Sequence, residues 1–356
     1  DQYVFSVLRK KTPQLERQSL TRGDLVFNGG FQLVYRHQTI ANDRTSTVNP
    51  NTTTTTNQGN ALNTMPGTCT PPSQSTQALN CPIVDAYLPN SYTRRDATAW
   101  VPDLWLELKY KKFRFGGEFA TIQGSIANIS NTTSAPVTTS DPNKSDYKIR
   151  AWGIATELEQ KLLEDKLNLG FKFGWASGDP DVDGLTPNFN SQQLQGDQGG
   201  GAGLGDRTFS TFRFHPSYRV DMILQRAILT RVQGTYYFRP SADYDFLKDA
   251  SGQRAGGGIA AIWTRASEFI QAPGHEHDLG IELDGKIYYQ SKDGALNDVP
   301  GIMGGFFTEI DYGVLFPMAG LGYPDAIKER ITTTLGSNAA DIKIAQTLRW
   351  YLGVLF

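Results

Sequence analysis

The 356-residue chain has two cysteines, four methionines and four histidines. It contains no unbroken apolar run of the roughly 18 residues that a helix needs to cross a bilayer. Its mean hydropathy is -0.39. A transmembrane helix is therefore excluded, whereas a transmembrane strand, which needs only about 9–11 residues with every second one apolar, is not. Charge of one sign is also missing. With 34 basic and 36 acidic residues the net charge is -2, so there is no electrostatic footprint for nucleic acid. His37, His215, His275 and His277 are the whole imidazole supply, and no G-x-S-x-G motif accompanies them. Nucleophilic and acid–base catalysis have little to draw on, and no enzymatic activity is expected.

What the chain does have is alternation. At the carboxy terminus Ile342, Ile344, Gln346, Leu348, Trp350, Leu352, Val354 and Phe356 share one parity, and Lys343, Ala345, Thr347, Arg349, Tyr351, Gly353 and Leu355 the other. Successive side chains of a strand point to opposite faces, so one face here is apolar and the other mainly polar or small. This segment resembles the closing strand of bacterial outer-membrane β-barrels, whose signature is a terminal Phe preceded by apolar residues at every second position. The resemblance implies that Trp350, Leu352, Val354 and Phe356 carry the assembly signal read by the barrel-assembly machinery. It also implies a bacterial outer-membrane location among lipid and lipopolysaccharide. No signal peptide precedes Asp1. Tyr3, Phe5 and Val7 already alternate, so amino-terminal strands are expected to be missing.

Similar alternation recurs along the chain. Leu279, Ile281, Leu283, Ile287 and Tyr289 are expected on one face, with Asp278, Glu282, Asp284, Lys286, Tyr288 and Gln290 on the other. Another strand is expected from Ile228 through Arg239. Assigning sides backwards from Phe356 puts Lys111-Lys112, 163–166, 240–257 and 291–301 on the periplasmic side. The connections 41–99, 124–146, 177–225, 271–277 and 317–340 then fall outside. Long connections gather mostly on one side, as in bacterial barrels. A β-sandwich would not sort them so. About eleven strands are legible and single-chain bacterial barrels are even-numbered. The expected fold is all-β, a transmembrane antiparallel up-and-down barrel of roughly 12–18 strands with long extracellular loops.

The 41–99 connection is rich in Thr, Asn and Ser and reads as a solvated loop. It holds Cys69 and Cys81, which in an exported chain are expected to form a disulfide. In Gly178-Asp179-Pro180-Asp181-Val182-Asp183-Gly184, the spacing of Asp179, Asp181 and Asp183 matches the first half of a calcium loop, with Ca²⁺ as the metal. The twelfth position is Asn190 rather than a bidentate Glu, so an acidic solvated turn is the alternative. The 177–225 connection is expected either to stay outside or to fold into the lumen. The stretch 212–221, FRFHPSYRVD, with 174–179 before it and 236–240 after it, is similar to alginate-export-type barrels and porin-like barrels of delta-proteobacteria. That resemblance covers the carboxy-terminal half and implies an arginine-rich conduit.

Charge on a lipid-facing position costs about 2–4 kcal/mol for Arg or Lys at the midplane, so the charged parity is expected to line a lumen. The expected pore-lining residues are Arg36, Arg114, Lys172, Arg231, Arg265, Glu282, Asp284, Lys286, Glu309, Asp311 and Arg349. Lys109, Arg239, Glu107 and Glu157 share that parity. The mixture of signs also suits ordinary cross-strand pairing. The expected function is a channel, a porin or export conduit for small polar or anionic solutes. The alternative is a structural or adhesion barrel with a plugged lumen and partner-binding loops. A homo-oligomer is compatible with either.

Overall fold

The computed structural model describes residues 1–41, 94–126, 147–180, 208–250, 252–292, 305–336 and 340–355. Cys69, Cys81, Asp181, Asp183 and Phe356 lie outside the described residues, as does most of the 41–99 connection.

The strands are β1 (Gln2–Arg9), β2 (Val26–Ala41), β3 (Arg94–Tyr110), β4 (Phe113–Ile126), β5 (Tyr147–Leu162), β6 (Leu167–Ala176), the two-residue β7 (Thr208–Phe209), β8 (Thr235–Lys248), β9 (Arg254–Ala266), β10 (Asp278–Gln290), β11 (Gly305–Pro317) and β12 (Ala345–Leu355). Helix α1 (Pro13–Arg22) joins β1 to β2, and α2 (Asp325–Leu335) lies between β11 and β12. The strands make one 12-stranded sheet in which every strand but β7 neighbours the next in chain order, and β7 pairs with β5. The all-β, antiparallel up-and-down expectation is borne out.

Two compact units are distinguishable. One comprises Asp1–Tyr3, Tyr35–Ala99 and Gly124–Ile149. In it the His37 backbone N–H donates to the Asp1 carbonyl at 2.9 Å and Tyr3 stacks on Tyr35. The other comprises Val4–Val34, Trp100–Gln123 and Arg150–Phe356, and it holds the insert, the charged network and the cavities described below.

The tight turns fall where expected. Lys111-Lys112 joins β3 to β4, and residues 163–166 join β5 to β6. Both use left-handed backbone without glycine, with φ of 52° at Lys111 and 50°, 57° and 68° at Leu163, Glu164 and Asp165. Positive φ at hairpin loop positions matches the twist of the flanking strands. The Lys112 ammonium reaches the Asp165 carboxylate at 3.1 Å, tying the two turns together.

Alternation gives the sheet one apolar face that is open. Ile259 is 71% exposed, Leu348 68% and Ile287 60%. The other face is charged toward the turns and apolar toward the long connections. There it is covered by the insert, residues 210–234, an irregular run with one π-helical turn (Leu224–Ile228). Phe212, Phe214, Val220 and Val232 pack on Ala151, Ala176, Tyr237, Ala260 and Ile262 of the sheet. Met222, Ile223, Leu224 and Leu229 pack on Ala266, Leu279 and Leu315. The small strand residues make room for large insert residues. Gly153 is the clearest case, because a Cβ there would strike the Phe212 ring.

Three strand expectations need correction. Residues 228–234 are not extended. Thr230 and Gly234 take φ of 67° and 54°, and burying Leu229 and Val232 outweighs local strand preference. Pro240 does not open a turn. It pairs with Phe171 inside β8, while the ladder to β9 passes from Phe238 directly to Ser241. Only one side of the strand has to accommodate the missing N–H. Finally, a bulge between Asp278 and Gly280 exchanges the expected faces at the start of β10. Leu279 is wholly buried against the insert, and Asp278 stands beside Arg265.

Gly153→Val is expected to prevent Phe212 from docking, at a cost of about 1–3 kcal/mol for overpacking. Urea unfolding followed by tryptophan fluorescence would show it as a lowered midpoint. An unchanged midpoint would mean that Phe212 does not need the glycine.

Candidate functional site

Helix α1 begins the charged network. Thr12 caps it by accepting from Leu15 N, Pro13 opens it, and Gly23 closes it in left-handed conformation with φ 81°. The helix carries Glu16 onto the charged face. The Asn28 amide donates to Glu16 at 2.5 Å, and Lys109 Nζ lies 3.1 Å from it. Lys109 also reaches Glu107 at 3.0 Å, and Arg114 reaches Glu107 at 2.9 Å and Glu159 at 3.0 Å. Lys172 closes on Glu157 at 2.8 Å. The hydrogen bond from Asn28, opposed by burial and aided by Lys109, holds the Glu16 carboxyl below its ordinary value of 4.5.

Further along, strand register builds a transverse row. Lys161, Asn168, Asp243, Gly258, Lys286, Asp311 and Arg349 are successive cross-strand partners from β5 to β12. Opposite charges therefore alternate across the face. Gly258 has a particular role. Lys286 of β10 passes over β9 to reach Asp243 of β8 at 2.9 Å, and a Cβ on Gly258 would fall on the Asp243 carboxylate and 2.8 Å from Lys286 Cε. Gly256 repeats the device. Over it the Tyr288 hydroxyl reaches Asp245, whose two oxygens also accept from Arg254 Nη2 at 3.0 Å each.

Cavities lie along this face, and one of about 390 Å³ borders Glu107, Arg114, Glu118 and Glu157. Another of about 450 Å³ is bounded by Lys161, Lys166, Lys248 and Arg254 together with Glu159, Asp243 and Glu309. The next, about 240 Å³, shares Glu159, Asp243 and Lys286 with it and reaches Arg239, Asp284, Asp311 and Met222 of the insert. Asp284 Oδ1 and Asp311 Oδ1 are buried without a hydrogen-bond partner among the described residues. Buried groups of this kind ordinarily have one, so this stretch suits water or a polar solute.

The insert is held by buried carboxylates. Glu282 is fully buried and accepts from the backbone N–H groups of Met222 at 2.9 Å, Ile223 at 2.8 Å and Leu224 at 2.9 Å. Asp221 accepts from Gln225 N and Arg226 N. Burial, and then the nearby Glu282 carboxylate, raises the Asp221 carboxyl above its ordinary range. Arg349 Nη2 donates to the Met222 carbonyl at 2.8 Å.

Of the residues expected to line a pore, Arg114, Lys172, Asp284, Lys286, Glu309, Asp311 and Arg349 meet on this face. Arg36 donates to Gln38 on its own strand. Glu282 is sealed beneath the insert rather than open to a cavity. Arg231 lies in the insert, outside any strand. Arg265 belongs to the apolar face: it pairs with Asp278 at 2.8 Å and lies over the Trp263 and Tyr236 rings. The bulge turns Asp278 to that face, whereas Arg265 follows the parity of Ile259 and Trp263 on its own strand. Asp179 is fully buried and accepts from Ser210 N at 2.9 Å, and no cluster of three metal-ligating side chains occurs among the described residues. Trp350, Leu352 and Val354 stand exposed on the apolar face.

Sequence reasoning missed Glu16, Asp221, Asp243, Asp245 and Arg254. The Thr12-Pro13 start and Gly23 stop are legible helix signals that would have found α1 and with it Glu16. Asp243 and Asp245 were hidden by the expectation that Pro240 ended its strand. Comparison with known proteins finds no matching family model and no matching curated relative.

Gly258→Val is expected to separate Lys286 from Asp243. A double-mutant cycle with Asp243→Asn and Lys286→Gln should then show coupling in the wild-type background and none in the Gly258→Val background. Glu16 gives a pH test. A carboxylate whose folded pKa is lowered contributes stability above its unfolded value of 4.5 and loses it as pH falls through the folded value. Hydrogen-exchange protection of α1, corrected for intrinsic rates, should fall in that acid window. In Glu16→Gln it should be low at every pH, and equal acid loss in both proteins would exclude Glu16 as the cause.

Proposed function

We propose that this chain is a bacterial outer-membrane β-barrel that passes small polar solutes passively through a lumen narrowed by the insert. One observation carries the proposal: the sheet turns an open apolar face one way and charged, cavity-lined surface the other. A soluble protein rarely exposes so large an apolar surface, whereas a bilayer requires it. Closure of the sheet would satisfy its edge strands, which lipid cannot do. Asp243, Asp284, Asp311 and Glu309 would face Lys161, Lys172, Arg239 and Arg349 across the path. Lining charge of both signs suits weak ion selectivity, and the implied preference for anions is diluted by these acids. Lipopolysaccharide, outer-membrane lipid and the barrel-assembly machinery are the partners that follow, and no catalytic chemistry is needed.

The insert favours a second reading. It carries both apolar clusters of the charged face, so a lumen fully stopped by it would make the protein a structural or adhesion barrel.

Single-channel recording in planar bilayers separates the two. Open steps are expected in the wild type, with a cation-to-anion permeability ratio near one. Glu282→Gln replaces a carboxylate oxygen with an amide donor and leaves a backbone N–H without its acceptor, at a cost of about 1–3 kcal/mol. It should raise mean conductance or introduce flicker. A folded protein silent in the wild type and in Glu282→Gln that conducts only after removal of residues 210–234 would overturn the channel in favour of the stopped barrel.

A further inference from the structure

The apolar face carries a dent. A groove of about 640 Å³ is lined by Pro240, Ala242, Ala261 and Gly285, with Leu283 and Phe316 beside them. Small residues on adjacent strands leave the dent. Above it, toward the long connections, the next row across the sheet is Phe238, Trp263, Ile281 and Phe316. One row further stands Arg265, which the parity of β9 leaves as the sole cation on this face of β9 and β10 among the described residues.

Arg265 is built into that position. Its guanidinium lies 5.5 Å from the Trp263 ring centroid and 5.9 Å from that of Tyr236. It pairs with Asp278 at 2.8 Å, and Nη1 donates to the Tyr236 hydroxyl at 3.0 Å. A guanidinium carries five N–H donors, so these contacts orient it without exhausting it. Its fork matches a phosphate.

The spacing matches one leaflet. Arg265 and Ala261 are on one strand face, and at about 3.3 Å per residue they are roughly 13 Å apart. Half of a hydrocarbon core about 30 Å thick is about 15 Å. A charge on a lipid-facing surface is tolerated near the interface and costly at depth. With Arg265 at the interface, the groove lies at acyl-chain depth beneath it.

We propose that Arg265 and this groove form a site for an outer-leaflet phosphorylated glycolipid of the lipopolysaccharide class. Arg265 takes a phosphate, Trp263 and Tyr236 pack against the headgroup boundary, and one acyl chain fills the groove from Trp263 down to Gly285. The assignment to the outer leaflet rests on the barrel reading above, in which the long connections face outward.

The test uses the full chain, refolded in detergent and titrated with purified hexa-acylated lipid A or with phosphatidylglycerol, with binding read by native mass spectrometry. Lipid A is expected to bind the wild type more tightly than phosphatidylglycerol does. Arg265→Gln and Ala261→Phe, which fill different ends of the site with the wrong chemistry, should each weaken lipid A binding roughly tenfold, and Arg265→Lys should weaken it less. Lipid A binding indifferent to both substitutions would overturn the site. So would phosphatidylglycerol bound equally well and equally sensitive to them, which would indicate a generic anionic-lipid contact. A concentration-dependent dimer lost in Ala261→Phe would reassign the groove to a second copy of the chain. Flotation of the same preparations with liposomes keeps the readings apart. Protein that inserts but ignores lipid A disproves the site alone, and protein that never inserts disproves the barrel reading with it.

Discussion

A buried carboxylate on β10 decides what the charged face can do. Glu282 has no solvent exposure and spends its oxygens on three consecutive backbone N–H groups of the insert. Burying a charge is expensive unless hydrogen bonds replace water, and a non-repetitive segment buried against a sheet must find partners for its own amides. Each need meets the other here. Once Met222 to Leu224 are pinned, Arg349 can bond the Met222 carbonyl, and the insert's apolar side chains settle on the small residues of the sheet. One limit of the 240 Å³ cavity follows from where Met222 comes to rest.

Glycine on β9 governs the remainder of that face. Without side chains at Gly256 and Gly258, Tyr288 and Lys286 cross a whole strand and bind acids on β8. Ordinary cross-strand pairs join adjacent strands, whereas these join next-nearest ones. Three strands are thereby tied by side chains as well as by the backbone ladder. The cations so engaged are neutralised in part, which is why the wall carries mixed charge rather than a strong field of one sign.

The opposite face obeys a simpler constraint. Its residues are aromatic or aliphatic and open, and the one guanidinium that β9 turns to this face, Arg265, is packed over Tyr236 and Trp263 and held by Asp278. The parity of β9 puts Arg265 there, and a single bulge in β10 brings Asp278 beside it. The extra residue in β10 turned Asp278 outward and Leu279 inward, so one irregularity supplied both the partner for Arg265 and a contact for the insert.

Alternation along the chain by itself determined the strands, the two chemically distinct faces, the tight turns at Lys111-Lys112 and 163–166, and most of the charged set, because side-chain direction in a strand depends only on parity. That logic failed wherever parity stopped being local. Nothing in the 228–234 pattern reveals that Leu229 and Val232 earn more from burial under the sheet than from joining it. Pro240 reads as a terminator, and only the neighbouring strand shows that one of its two edges can spare an N–H. Arg265 reads as pore-lining until the pairing of β9 places it beside Trp263 and Tyr236, and Asp278 reads as sharing a face with Glu282 until the bulge in β10 exchanges the faces. Glu282 reads as one more wall charge, and its three backbone partners lie some sixty positions earlier in the chain. Tertiary structure alone decided these points, since each depends on which distant segment comes to occupy the space beside a strand.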